Sequence, residues 1–333
     1  MLAAIFGVGG PELTTEERAF FRDTQPLGFI VFARNIQDPD QVRRLVADLR
    51  ASVAHADAPV LIDQEGGRVQ RLRPPHWRAA APAARFGALA RRQAQSAAKA
   101  VFLNDQLIGA ELASLGIDVD CAPLIDVHQP GAHDVIGDRA FSGDPEEVAT
   151  LGRAATDGLI SAGITPIIKH IPGHGRSMVD SHHDLPRVAT PHDELARTDF
   201  LPFRRLNDMP WAMTAHIIYE ALDPKLPATL SPKVIGEVIR GEIGFDGLLL
   251  SDDMSMKALN GPLDDLTRCA LEAGCDVALH CNGKMEEMRL IAAGAAPLSK
   301  AGEERYTRGR RQVGRARVAK LDQVEAELTA LLA

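Results

Sequence analysis

Four of the chain's 11 histidines, His170, His174, His182 and His183, fall between Lys169 and Asp184. The same stretch carries Arg176, Asp180, Gly173 and Gly175. Glycines free the backbone, and loops held by a rigid scaffold are where chemistry concentrates. Any one of these histidines alone reads best as a structural hydrogen-bonding group; four on one loop are harder to read that way. Asp180 and His182 are two residues apart, so in a tight turn the carboxylate touches the ring, favours the imidazolium and keeps its proton available near neutral pH. That suits a general acid. Metal binding is the competing reading, because His170, His174, His182 and His183 are suitable ligand types, but no H-E-x-x-H pattern accompanies them.

A second group succeeds the apolar run Leu248-Leu249-Leu250: Ser251, Asp252 and Asp253. Ser251 or Asp253 is placed to cap a helix starting near Met254. The neighbouring carboxylate then faces a pocket, where an ionised Asp attacks a sugar's anomeric carbon. A third group is the string from Asp63 to Arg71, Asp-Gln-Glu-Gly-Gly-Arg-Val-Gln-Arg. Its Gly66-Gly67 pair permits an unusual turn, Asp63 accepts hydroxyl protons and Arg71 is a forked donor; a turn with one salt bridge is the plainer reading. Neither G-x-G-x-x-G nor G-x-x-x-x-G-K-[ST] occurs here, which argues against a nucleotide site. In a fourth loop, Gly137 to Ser142, Arg139 either meets substrate or pairs with Asp138.

These groups need elements to present them. Short apolar runs, Leu2 to Val8, Leu27 to Ala33, Pro59 to Ile62, Ile117 to Ile125, Ile164 to Lys169, Trp211 to Ile217, Gly247 to Leu250 and Cys275 to His280, read as strands. Stretches of helical periodicity such as Pro39 to His55, Arg91 to Ser114 and Pro145 to Ala162 lie between them. Such alternation implies a parallel sheet, open or closed. Polar residues decide between these: Arg34-Asn35, Asp63, Asp126, Lys169-His170, His216, Asp252-Asp253 and His280 all sit at the ends of apolar runs. A closed barrel gathers strand ends at one reactive mouth, whereas an open sheet uses a single switch point. The expectation is an α/β fold, a single (β/α)8 TIM-type barrel with a C-terminal helix, forming one catalytic domain over residues 1–333.

Composition excludes other classes. The chain is 45% hydrophobic and 25% charged, a globular profile. Its net charge of −8 supplies no field to attract nucleic acid or an anionic membrane. Arg305, Arg308, Arg310, Arg311, Arg315 and Arg317 crowd one stretch, but Val313, Val318, Leu321, Val324 and Leu328 make it an amphipathic helix with a solvated basic face. The first residues lack a basic segment and cleavage site, and no apolar run nears the ~18 residues that span a bilayer, so a cytoplasmic location is expected. Cys121, Cys269, Cys275 and Cys281 lack C-x-x-C spacing and are expected to be reduced and mostly buried.

Taken together, Asp63 to Arg71, Ile136-Gly-Asp-Arg139, Lys169-His-Ile-Pro-Gly-His-Gly175, Asp180-Ser-His182 and Ser251-Asp-Asp-Met-Ser-Met256 resemble the bacterial β-N-acetylglucosaminidases of glycoside hydrolase family 3. The likeness runs in order from about Gly28 to His280. It implies Asp252 as nucleophile, His182 as acid/base and Asp180 as its partner, with Asp63, Arg71, Arg139, Lys169 and His170 holding a terminal N-acetylglucosamine (GlcNAc). It implies a cytoplasmic role in recycling cell-wall muropeptides; no cofactor, no metal and a monomer are expected. The substrate would be GlcNAc joined β-1,4 to 1,6-anhydro-N-acetylmuramic acid, with or without peptide. Ile171 stands where Phe is usual and Met254 where Leu is common; both swaps are apolar. The Gly173 to His183 loop is expected to act as a flap that delivers His182. A β-N-acetylglucosaminide phosphorylase, a metal-dependent hydrolase and a non-catalytic sugar-binding barrel remain the alternatives.

Overall fold

A computed structural model of the chain describes residues 1–129, 131, 136–177, 185–314 and 320–333. Eight short strands are β1 (Leu2–Gly7), β2 (Pro26–Val31), β3 (Val60–Ile62), β4 (Val119–Asp120), β5 (Thr165–Ile171), β6 (Trp211–Thr214), β7 (Leu248–Asp253) and β8 (Val277–His280). Each pairs in parallel with its sequence neighbours, and β1 closes on β8 with Ile5 opposite Leu279. The result is the (β/α)8 barrel expected from the alternating runs.

The connecting helices start where local chemistry starts them. Asp38 accepts from the Gln41 amide at 2.8 Å and Pro39 comes next as the first helical residue of Pro39–Ala51. Asp144 accepts from Glu146 and Glu147 ahead of Pro145–Ser161. An acceptor on otherwise unpartnered amides, with proline next where no donor is needed, is a strong helix start. No helix among the described residues is long and apolar enough to cross a membrane.

Alternation along the strands splits the core in two. Ile5, Ile30, Leu61, Val119, Ile167, Met213, Leu250 and Leu279 pack inside the barrel. Their neighbours Phe6, Phe29, Ile62, Ile168, Ala212 and Leu249 face the helices instead. The inner layer therefore fills the barrel, and the inward residues beyond it on each strand emerge at the C-terminal mouth.

The other end is sealed by the helix Lys300–Val313, where Tyr306 lies 5.9 Å from the buried Trp211 ring. Here the expectation of a solvated basic face is corrected in part: Arg308 and Arg311 are exposed, yet most of the described arginines are tied to the barrel. Arg305 binds Asp246 (3.0 Å) and Asp276 (2.9 Å), Arg308 binds Asp246 (2.8 Å), and Arg310 binds Asp118 (2.6 Å). These arginines tie the helix to loops that precede strands, because the acidic partners lie far away in sequence and no local pattern announces them. The helix ends at Gly314 and a second one, Leu321–Leu332, succeeds it, so one C-terminal helix becomes two. Arg315, Arg317 and Val318 lie outside the described residues. All four cysteines are unpaired: Cys121 and Cys275 are buried, Cys281 is half-buried and Cys269 is exposed.

Packing on the outside reaches the mouth. Gly87, in the helix Ala83–Ala90, leaves no room for a side chain, since a Cβ there would stand 1.7 Å from the Phe141 carbonyl oxygen. Phe141 is two residues beyond Arg139. Gly87→Ala is expected to destabilise by ~1–3 kcal/mol, lowering Tm by several degrees in a thermal scan, and to weaken whatever Arg139 holds.

Candidate active site

Strand period 2 explains how distant residues converge. Leu61, Ile167, Leu250 and Leu279 point into the barrel, so the next inward positions, two residues on, are Asp63, Lys169, Asp252 and Cys281. All four line one cavity at the mouth, with Arg71, Arg139, His170 and His174 around it. Its empty volume, open solvent at the mouth included, is about 660 Å³. A register shift in β5 between Lys169 and Ile171 breaks the alternation, which lets both Lys169 and His170 face the cavity.

Charge compensation organises one wall. The Lys169 ammonium, only 3% exposed, lies 2.9 Å from Asp63 and 2.7 Å from Glu65. Arg71 donates to the other Asp63 oxygen at 3.1 Å, and Arg139 grips Glu65 at 2.8 and 2.9 Å. Burial would raise the Asp63 carboxyl, but Lys169 and Arg71 outweigh it and hold it well below the usual carboxylate range. Against the same burial, Arg139 and Lys169 hold Glu65 down at about 2. Burial works against the Lys169 charge too, yet its two carboxylates lift it above the ordinary lysine value. The wall therefore stays fully ionised at neutral pH, with carboxylates to accept and cations to donate hydroxyl hydrogen bonds.

The hairpin that carries Asp63, Glu65 and Arg71 is fixed by two buried amides. Gln64 accepts from the Arg71 and Leu72 amides, at 2.8 and 3.0 Å. Gln70 donates to the Leu72 and Arg78 carbonyls and accepts from Ala80. The expected turn is present, with Gly66 and Gly67 at φ of 93° and 56°, the left-handed region that favours glycine. Arg71 and Arg34 stack on the ring of Phe32, 5.2 and 5.0 Å from its centroid.

A second buried carboxylate supports the histidine loop. Asp126 accepts from the His170 amide (3.1 Å), the His174 amide (2.6 Å) and His170 Nδ1 (2.8 Å). Burial opposes its ionisation, but the His170 ring and these donors keep Asp126 below the usual carboxylate range. With Nδ1 occupied, His170 has only Nε2 left for a ligand. Burial lowers His174 to about 4, so this ring is neutral at pH 7. Across the cavity, Asp252 Oδ1 accepts from the Asp253 amide at 2.8 Å. Asp253 turns away, accepting from Ser255 at 3.0 Å and from the Cys281 amide at 3.2 Å. The expected helix at Met254 is absent: Asp253 closes a turn there.

Of the residues singled out in the sequence, Asp63, Arg71, Arg139, Lys169, His170 and Asp252 come together. Asp180 and His182 lie outside the described residues, as does most of the expected flap. Arg139 pairs with Glu65, while Asp138 is taken by Arg68 at 2.9 Å. Of the other strand-end residues, Arg34 and Asn35 bind the Val8 carbonyl and His280 sits 3.3 Å from Glu287. Glu65 and Asp126 are residues supporting this cavity that sequence reasoning did not assign. Glu65 lies inside a string already suspected and Asp126 ends a strand, but nothing local shows that each answers charges or amides more than forty residues away.

Comparison with known proteins agrees with this geometry. The model of the glycosyl hydrolase family 3 N terminal domain matches residues 5–315. A β-hexosaminidase of Alkalilimnicola ehrlichii is 42% identical over 282 residues, covering 84% of this chain and 80% of the relative. One from Pseudomonas aeruginosa is 41% identical over 290 residues, covering 86% and 84%. Among solved structures, NagZ from Neisseria gonorrhoeae in complex with N-trifluoroacetyl-D-glucosamine superposes with a TM-score of 0.89 at 29% identity, covering 99% of this chain and 98% of that one. With a barrel, an ionised wall and a facing carboxylate in place, the chain belongs to glycosyl hydrolase family 3, among its bacterial β-N-acetylhexosaminidases.

Proposed function

We propose that the chain is a retaining, exo-acting β-N-acetylglucosaminidase. The observation that carries this reading is the Asp252 carboxylate at the mouth of one cavity whose other wall is the ionised set Asp63, Lys169, Arg71 and Arg139, backed by Glu65. A polar cavity at the barrel mouth, lined by facing carboxylates and cations, suits one terminal sugar. Asp63, Arg71, Arg139, Lys169 and His170 hold that sugar's hydroxyl and acetamido groups. The N-acylglucosamine carried by the Neisseria gonorrhoeae structure supports GlcNAc as the sugar.

Asp252 attacks the anomeric carbon while protonated His182, partnered by Asp180, gives its proton to the leaving glycosidic oxygen. The C–O bond to the aglycone breaks and a glycosyl ester forms. Water then attacks the same carbon, losing a proton to the now neutral His182, and Asp252 leaves. Two inversions give net retention. The proposed natural substrates are peptidoglycan fragments, GlcNAc-1,6-anhydro-N-acetylmuramic acid with or without peptide. They would be met in the cytoplasm by the chain acting as one catalytic unit without a cofactor. Cell-wall recycling is the matching role.

The test is hydrolysis of p-nitrophenyl N-acetyl-β-D-glucosaminide, monitored by NMR of the first-formed sugar, with chelator present and with phosphate present or absent. The expected result is β-GlcNAc before mutarotation, at a rate that neither chelator nor phosphate removal changes. First-formed α-GlcNAc would overturn retention. A sugar 1-phosphate formed only with phosphate would make the enzyme a phosphorylase, and loss of turnover with chelator would make it metal-dependent.

A further inference from the structure

His216 lies just past the end of β6, is fully buried and is absent from the cavity lining, yet it touches the backbone that carries Asp252. We infer that His216 is a positioning residue for Asp252: its imidazole, held as the Nε2–H form by Thr229, fixes the Asp253 carbonyl and with it the turn on which the Asp252 carboxylate sits. This rests on the reading of Asp252 as nucleophile.

The hydrogen-bond geometry fixes the hydrogen on the side of the ring that faces Asp253. His216 Nε2 lies 3.1 Å from the Asp253 carbonyl oxygen, which only accepts, so Nε2 carries the hydrogen. Burial pulls the ring below its ordinary value, with Asp252 and Asp253 opposing more weakly, so the imidazole is neutral at pH 7. Its Nδ1 is then a lone pair, and the Thr229 hydroxyl 2.8 Å away must donate to it. The Ala215 carbonyl, at 3.1 Å, competes for the same single proton at a longer distance. Thr229 Oγ1 in turn accepts from Thr214 Oγ1 at 2.7 Å. The chain runs from Thr214 through Thr229 and His216 to the Asp253 carbonyl, joining the ends of β6 and β7 through the turn Ala228–Leu230.

Both sides of Asp253 are thereby held. Its N–H donates to Asp252 Oδ1 and its C=O accepts from His216. Rotation of the Asp253 backbone would move the donor that orients the Asp252 carboxylate. None of the four residues of the relay lines the sugar cavity, so their loss should act on bond formation rather than on sugar binding.

The experiment measures kcat and KM on p-nitrophenyl N-acetyl-β-D-glucosaminide, competitive inhibition by GlcNAc, and Tm for His216→Leu, His216→Gln, Thr229→Val and Thr229→Ser, with Asp252→Asn as reference. We expect His216→Leu to lower kcat about 10- to 100-fold, the size of effect a displaced reacting group produces, with inhibition by GlcNAc within about twofold of wild type. His216→Gln, which keeps a donor and an acceptor, should recover most of the loss. Thr229→Ser should resemble wild type, and Thr229→Val should lower kcat in the same direction as His216→Leu. Unchanged kcat in folded His216→Leu, or equal losses in kcat and GlcNAc affinity without recovery in His216→Gln, would overturn the inference. If His216→Leu does not fold, Thr229→Val and Thr229→Ser decide it by the same criteria. An active Asp252→Asn would instead remove the nucleophile reading, and the inference with it. An inactive Asp252→Asn beside an unaffected, folded His216→Leu would remove the inference alone.

Discussion

Asp252→Asn is expected to lower turnover of p-nitrophenyl N-acetyl-β-D-glucosaminide by at least about 10³-fold, because an amide has no anionic oxygen to form the glycosyl ester. The fold should not change. The Asp253 amide donates to Asp252 Oδ1 at 2.8 Å, and a side-chain amide oxygen accepts that bond equally well. A Tm close to wild type with lost kcat would therefore separate chemistry from stability. His182→Ala provides the contrast. Nitrophenolate leaves without a proton, so its loss should be mild with that substrate and about 10²- to 10⁴-fold with a natural disaccharide, whose alkoxide requires one. Equal losses on both substrates would remove His182 from the acid role.

Lys169→Met is expected to damage both stability and activity. Asp63 and Glu65 share this one buried ammonium at 2.9 and 2.7 Å. Removing one partner of a buried ionic cluster leaves charge uncompensated, at a cost of about 3–5 kcal/mol. The pH dependence comes from Asp63, held below the usual carboxylate range, and from Glu65, lowered from an ordinary 4.5 to about 2. A depressed carboxyl contributes stability that is fully present above its unfolded value and is lost as pH falls through its folded value. For Glu65 in the wild type that loss falls between about pH 4.5 and 2. Without Lys169 the Glu65 carboxyl rises, leaving Arg139 as its cation, so acid unfolding monitored by circular dichroism should begin at higher pH. Activity should fall on the order of 100-fold in kcat/KM at neutral pH, because Asp63 and Glu65 lose the group that aligns them. An acid unfolding curve identical to wild type would refute this account of the wall.

The sequence alone determined the architecture. Eight apolar runs separated by helical periodicity match the eight barrel strands, since strand and helix periods are local properties of the chain. It also marked out residues that line the mouth cavity, because parallel strands deliver the residues beyond their apolar cores to the same end of a barrel. Asp63, Lys169, His170 and Asp252 were legible for that reason, and Arg71 and Arg139 through the strings around them.

Tertiary structure decided the partnerships. Arg139 could have paired with adjacent Asp138 and binds Glu65, 74 residues away, instead. Lys169 reaches 106 residues back to Asp63, and His170 reaches 44 back to Asp126. The basic helix that local amphipathicity assigned to solvent is pinned under the barrel by Asp118, Asp246 and Asp276. His216, one of many polar residues at a strand end, gained a role only when Thr229 and the Asp253 carbonyl closed around it. The physical reason is common to all of these. A buried charge or ring must be matched by whichever group the closed barrel brings within hydrogen-bond reach. Sequence spacing does not encode that distance.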